Sequence, residues 1–208
     1  MQFFRRASGR PSAVGILPGT FNPVTVAHLA LARAALQHVH EVVFVLPRNL
    51  PHKTYAGASF DDRVDMLTGA VSSSEPFSVA ASDGGLFLEI AEECRCEYGE
   101  TAALTLLCGR DAAERMIGWD YGAEGAVENV FGKCCLLVAA RSGEFTPPDR
   151  FVQAIRALPL DGEFDHVSAT EVRERLSAGL PWEHLAPPAI HGQISRIYSV
   201  TALNRLLH

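Results

Sequence analysis

The sequence predicts an α/β fold: a parallel sheet wound on both faces by helices. Three observations carry this reading. Short apolar, β-branched runs alternate with stretches of helical character over nearly the whole chain, which is the signature of repeated βαβ units. The runs are continuously apolar rather than alternating, as strands covered on both faces are. The polar, motif-like strings all fall just after a predicted strand end, where a doubly wound sheet binds its ligands.

The opening unit is AVGILPGTFNPVTVAHLALARAALQHVH, Ala13 to His40. Its strand, Ala13 to Leu17, ends at Pro18-Gly19, and Thr25 is the N-cap of a helix that begins at Val26 and is apolar over most of its circumference. His28 is then the third helical position, beside the unpaired N–H groups and positive dipole end where anions bind. From the residues alone it is either a structural hydrogen-bonding group or a ligand contact. A second strand, Glu41 to Pro47, closes a right-handed βαβ unit. The loop Arg48 to Ser59 follows, with local positive charge at Arg48, His52, Lys53 and, just beyond it, Arg63. Next come a helix from Phe60 to Val71 with Val64, Met66, Leu67 and Val71 inward, a strand at Phe77 to Ala80 and a helix from Leu86 to Tyr98. Ala102 to Cys108 is a strand ending at Gly109, Arg110 to Gly118 a short helix and Cys134 to Ala140 a strand. Phe151 to Leu158 reads as helical, Asp165 to Val167 as a short strand, and Ser168 opens a helix ending near Ala178. The Pro-interrupted tail from Pro181 is expected to turn helical at Ser199 to Leu207.

With 208 residues the chain suits one domain. Residues 1–12 are expected to be a frayed or tag-like terminus, residues 13–180 the α/β domain, and residues 181–208 a small helical tail packed on it. The balance of 18 basic and 24 acidic residues, −6, with no Lys/Arg run, disfavours polymeric nucleic acid as a partner. No apolar stretch is long enough for a membrane span, and a cytoplasmic, soluble protein is expected. Five cysteines without a CxxC pair point to reduced thiols rather than a disulfide framework or zinc site. There is no P-loop or G-x-G-x-x-G string, which disfavours a P-loop kinase and a classical dehydrogenase.

Two strings stand out. In GTFNPVTVAH, the residues Gly19, Thr20, Phe21, Asn22, Pro23, Thr25 and His28 precede and enter the first helix; in SATEVRERL, Ser168 with Glu171 has capping-box spacing and Val172 with Leu176 makes an apolar face, enough for a stable surface helix with no further role. The first string resembles the G-x-F-[DN]-P-x-[HT]-x-x-H signature, and the second, through Val167, Ser168, Ala169, Thr170, Val172 and Arg173, the I-S-[SA]-T-x-[IV]-R signature of the nucleotidyltransferase superfamily. That superfamily has a Rossmann-like fold. Thr25 and Ala27 stand where the common H-x-G-H form has histidine and glycine. With Asn22, this looks like the nicotinate and nicotinamide mononucleotide adenylyltransferases, as do Pro51-His52-Lys53, the Arg63, Met66, Leu67 pattern and Gly109-x-Asp111 followed by Trp119.

The resemblance implies adenylyl transfer from ATP to a pyridine mononucleotide in NAD biosynthesis. It implies His28, Arg173 and Lys53 as the catalytic set, with Gly19, Thr20, Phe21, Asn22, Thr25, Gly109, Asp111, Ser168 and Thr170 on the ATP and its phosphates. Trp119 and Arg63 would meet the acceptor, although Trp119 as core filling and Asp111 as a helix cap are equally compatible with the residues. Mg²⁺ would be held by substrate phosphates rather than by side chains. The family's S-Y-T-x-x-T-L string is replaced by SDGGLFLEI at Ser82 to Ile90. Phosphopantetheine or a sugar or polyol phosphate therefore stays open as acceptor, as does a nucleotide sensor without turnover, and a homo-oligomer is not excluded.

Overall fold

The computed structural model describes residues 1–49, 57–119, 121–122, 124–139, 145–160 and 162–206. Seven strands form one sheet: β1 (Gln2–Arg5), β2 (Ala13–Pro18), β3 (Glu41–Pro47), β4 (Phe77–Ser82), β5 (Ala103–Gly109), β6 (Cys134–Ala139) and β7 (Ile155–Leu158), in the order β1-β4-β3-β2-β5-β6-β7. All neighbours pair parallel except β1, which runs antiparallel to β4. Chain order therefore reverses between β2 and β5. In a doubly wound sheet that reversal opens a crevice outside the carboxyl ends of the two strands, here beyond Pro18 and Gly109.

The helices are α1 (Val26–Ala35), α2 (Phe60–Ala70), α3 (Phe87–Tyr98), α4 (Arg110–Gly118), α5 (Ala126–Phe131), α6 (Ala169–Ser177) and α7 (His191–Leu206). Alternate strand residues feed two cores, one per sheet face. On β3, Val42, Phe44 and Leu46 face α1 and α2, while Val43 and Val45 face the side of α3. All seven residues of β3 are buried, which explains why its sequence shows no polar alternation. Phe44 stands edge-on between Phe21 and Phe77, with ring centroids 5.7 and 5.5 Å away.

Four expectations are corrected. The first residues are not frayed: Gln2–Arg5 form the edge strand β1, and the Met1 ammonium lies 3.1 Å from Glu93. Phe151 to Leu158 is not helical. A single 3₁₀ turn, Asp149–Phe151, leads into β7, because Phe151, Ile155 and Leu158 have a helix-like spacing but the open edge of β6 supplies a ladder. Asp165 to Val167 is a turn leading to the N-cap Ser168, with Val167 N–H donating to Phe164 O. The final helix begins at His191, directly after the 3₁₀ turn Pro188–Ile190, and its buried Ile194 and Tyr198 pack towards α2 and α6. The short helix α5 was not foreseen.

Candidate functional site

The loop between β2 and α1 crosses the carboxyl edge of the sheet at the reversal. Gly19 N–H donates to Val45 O (3.0 Å), tying the loop to β3. A Cβ on Gly19 would stand 2.7 Å from the Phe21 ring, so only glycine lets that ring fold beneath the loop. Phe21 is buried, with φ 44°, and sets its ring edge-on to His28 at 5.2 Å.

His28 is the third residue of α1. The Thr25 backbone N–H donates to His28 Nδ1 (3.0 Å), and the Thr25 hydroxyl lies 2.8 Å from the same nitrogen. An N–H donor at Nδ1 assigns the proton of a neutral imidazole to Nε2. The imidazole thus takes the place of the carboxylate in a capping box, so the helix is capped without a negative charge. Thr25 itself is fully buried and acts on His28 rather than standing open to a ligand.

The two signature strings meet in space. The guanidinium of Arg173, on α6, donates from Nη1 to Asn22 O (2.5 Å) and Ala169 O (3.0 Å), and from Nη2 to the Thr170 hydroxyl (3.2 Å). Ser168 caps α6, its hydroxyl accepting from Glu171 N–H at 3.0 Å. The Glu171 carboxylate does not complete a capping box; it turns along the helix to Arg175 Nε at 2.5 Å. Ser168 and Thr170 are exposed, whereas the Asn22 side chain is buried and accepts from Tyr198 OH at 2.5 Å. Burial pushes the Tyr198 phenol well above its ordinary value, so it remains a donor throughout the working pH range. Tyr198, on α7, belongs to no string that the sequence singled out. Its signal was a tyrosine four residues after Ile194, on the buried side of a helix whose start had been placed too late.

Arg63 is not where an acceptor ligand would be expected. It is 4% exposed, and it donates from Nε to Ser59 O (3.3 Å) and from Nη1 to Thr20 O (3.0 Å), so it braces the β2–α1 loop from beneath. Lys53, with Pro51 and His52, lies outside the described residues. Gly109 is the N-cap of α4, and Asp111 sits exposed in that helix's first turn rather than capping it. Trp119, 40% exposed, follows α4 and is not core filling.

Beside Gly19 and Thr20 opens a cavity of about 430 Å³, which Pro47, Leu86 and Phe87, Trp119 and Tyr121 help to line. That volume is in the range of small-molecule sites. Its wall at Gly85 and Leu86 is the start of α3. Glu89 accepts there from Gly85 N–H (2.8 Å) and Leu86 N–H (3.0 Å), while Glu93 accepts from Gly84 N–H (2.8 Å) and Ser82 OH (2.6 Å). Burial opposes ionisation of Glu93, but the bonds from Ser82, Gly84 and the Met1 ammonium outweigh it and hold the carboxyl below its usual value. Among the described residues no three His, Cys, Asp or Glu side chains gather as a metal-holding group, and no helix is long and apolar enough to cross a membrane.

The sequence profile of the cytidylyltransferase-like family matches residues 16–175. The chain is 31% identical to a probable nicotinate-nucleotide adenylyltransferase of Gloeobacter violaceus, over 91% of this chain and 97% of that one. It is 30% identical to one of Stenotrophomonas maltophilia, over 83% and 89%. Among solved structures, nicotinic acid mononucleotide adenylyltransferase of Plasmodium falciparum complexed with NaAD superposes with a TM-score of 0.71 at 17% identity, covering 91% of this chain and 97% of that chain. The same enzyme complexed with APC gives 0.69 at 16% identity, over 91% and 96%.

Proposed function

The chain belongs to the cytidylyltransferase-like family, and we propose that it joins ATP to nicotinate mononucleotide, giving the dinucleotide and pyrophosphate in NAD biosynthesis. It is a nucleotidyltransferase. A 5′-phosphate oxygen of the mononucleotide attacks the α-phosphorus of ATP, the new P–O–P bond forms, the bond to the β-bridging oxygen breaks, and pyrophosphate leaves. No protein nucleophile is needed, so rate comes from alignment and from stabilising charge on the phosphoryl oxygens.

The observation that carries the reading is the convergence of the two signature strings through Arg173 and Asn22 O. It sets the starts of α1 and α6 on one crevice, each capped by a neutral group and each therefore offering a positive end to phosphate. In this reading His28 donates from Nε2 to a phosphoryl oxygen that gains charge in the transition state. Ser168, Thr170, Gly19 and Thr20 receive the triphosphate. Arg173, while holding the loop, supplies a fixed planar cation beside it. Asn22, Phe21 and Thr25 act by shaping the loop, Gly109 and Asp111 stand towards the nucleoside, and Lys53 towards the α-phosphate side. Mg²⁺ would accompany ATP as its counter-ion and would be held by phosphate oxygens and water rather than by side chains. The cavity beside Gly19 and Thr20 takes the acceptor, with Trp119 and Tyr121 against its ring.

The test is turnover of MgATP with nicotinate mononucleotide, following pyrophosphate and the dinucleotide together. Both should appear in equal amounts. Pyrophosphate release with 4′-phosphopantetheine or a polyol phosphate, and none with either pyridine mononucleotide, would overturn the acceptor assignment.

A further inference from the structure

We infer that Arg115 sets the choice between the acid and amide forms of the acceptor; the inference rests on the proposed function above. Nicotinate and nicotinamide have nearly the same shape and differ at the ring substituent by one negative charge. Shape alone cannot separate them, and a site that distinguishes them must do so by the sign of charge or of hydrogen bonding at its wall.

Two kinds of donor border the cavity beside Gly19 and Thr20. One is the pair of backbone N–H groups at Gly85 and Leu86, and both already donate to the Glu89 carboxylate. Both donors are thus already satisfied by an internal anion. The other is Arg115, on α4 four residues before Trp119, which is the only charged side chain among the described residues lining the cavity. Its helix neighbour Arg110 is paired with Glu114 at 2.8 Å, but Arg115 has no carboxylate partner among the described residues. An unpaired guanidinium on an otherwise apolar wall attracts a carboxylate and gives nothing comparable to a carboxamide. Gly19 and Thr20 belong to the same wall, so a ring read by Arg115 sits next to the loop that receives the phosphates.

The experiment compares kcat/KM for nicotinate and nicotinamide mononucleotides, with MgATP saturating, in the unaltered chain and in Arg115→Met, Arg115→Lys and Glu89→Gln. The unaltered chain is expected to favour the acid by about 10- to 100-fold, the range for one charge-assisted hydrogen bond at a partly solvated site. Arg115→Met should bring the ratio to within about threefold of unity by lowering the acid value alone, and Arg115→Lys should keep most of the preference because it keeps the charge. Glu89→Gln keeps an acceptor for the helix start while removing the competing negative charge, so it should raise the ratio. Turnover with an unchanged ratio in Arg115→Met, or a loss shared equally by acid and amide, would overturn the inference and leave the proposed function standing. No turnover of either acceptor by the unaltered chain would instead overturn the proposed function.

Discussion

Four helices that start at the carboxyl edge of the sheet have a side chain at their first turn's free N–H groups, and they fall into two pairs: α2 and α3 with a carboxylate, α1 and α6 without one. At α2 and α3 a carboxylate closes the helix start: Asp62 accepts from Ser59 N–H at 3.1 Å, and Glu89 from Leu86 N–H at 3.0 Å. At α1 and α6 the caps are an imidazole and a hydroxyl, and the one first-turn acid, Glu171, is turned away to Arg175. A carboxylate cap neutralises the positive end of a helix, whereas a neutral cap leaves it for an external anion. In the proposed function the starts of α1 and α6 face the phosphates, and neither carries a carboxylate cap.

Breaking the phosphate side should have the largest effect. Arg173→Lys removes the planar fork that reaches Asn22 O, Ala169 O and Thr170 at once, and kcat should fall by roughly 10²- to 10³-fold. Recovery of more than a tenth of the activity would take Arg173 out of the phosphate site. His28 follows, and here cap and chemistry can be separated. His28→Ala should lower kcat by about 10²-fold and stability by about 1 kcal/mol, as loss of a cap does. His28→Gln keeps an acceptor for Thr25 N–H, as in an ordinary capping box. It should regain the thermal midpoint but not the turnover, and recovery of both would make His28 purely structural.

A smaller effect is expected where α7 meets the loop. Tyr198→Phe removes the hydrogen bond to Asn22 Oδ1, which is worth about 0.5–1.5 kcal/mol. KM for ATP should rise by about 2- to 10-fold, while KM for the mononucleotide stays nearly constant. Equal changes in both would show that Tyr198 supports the whole crevice rather than its phosphate half.

The same contrast explains what could be read from the sequence. The two strings that the proposed function sets against the phosphates consist of residues that contact one another locally, as Thr25 does His28 and Arg173 does Thr170; their spacing alone fits plain helix caps, and the family resemblance singled them out. The five inner strands are legible because, covered on both faces, they are mostly apolar, with Glu41, Ser78, Ser82 and Thr105 as the polar breaks. The edge strands β1 and β7 are not, since QFFR and IRAL are four-residue segments whose state is decided by the open ladders of β4 and β6. The cavity proposed for the acceptor is assembled from separate elements: Leu86, Arg115 and Tyr121 come together only through packing, and no spacing announces them. Arg63 shows what a pattern leaves out. It matches a family pattern yet is buried, where its task is to hold Thr20 O.

An effect of the same modest size, with almost no change in stability, is expected in the cavity proposed for the acceptor. Trp119 is 40% exposed, lines the cavity beside the phosphate loop and also borders the neighbouring cavity near Tyr121 and Arg150. A core tryptophan replaced by leucine leaves a void and costs several kcal/mol, but an exposed one should change stability by about 0.5 kcal/mol or less. Stacking on an aromatic ring contributes about 0.5–1.5 kcal/mol, so Trp119→Leu should raise KM for the mononucleotide by about 2- to 10-fold and leave KM for ATP unchanged. Calorimetry and steady-state kinetics on the same preparation check both. A large fall in the thermal midpoint would return Trp119 to the core, and a rise in KM for ATP alone would move it to the nucleotide side.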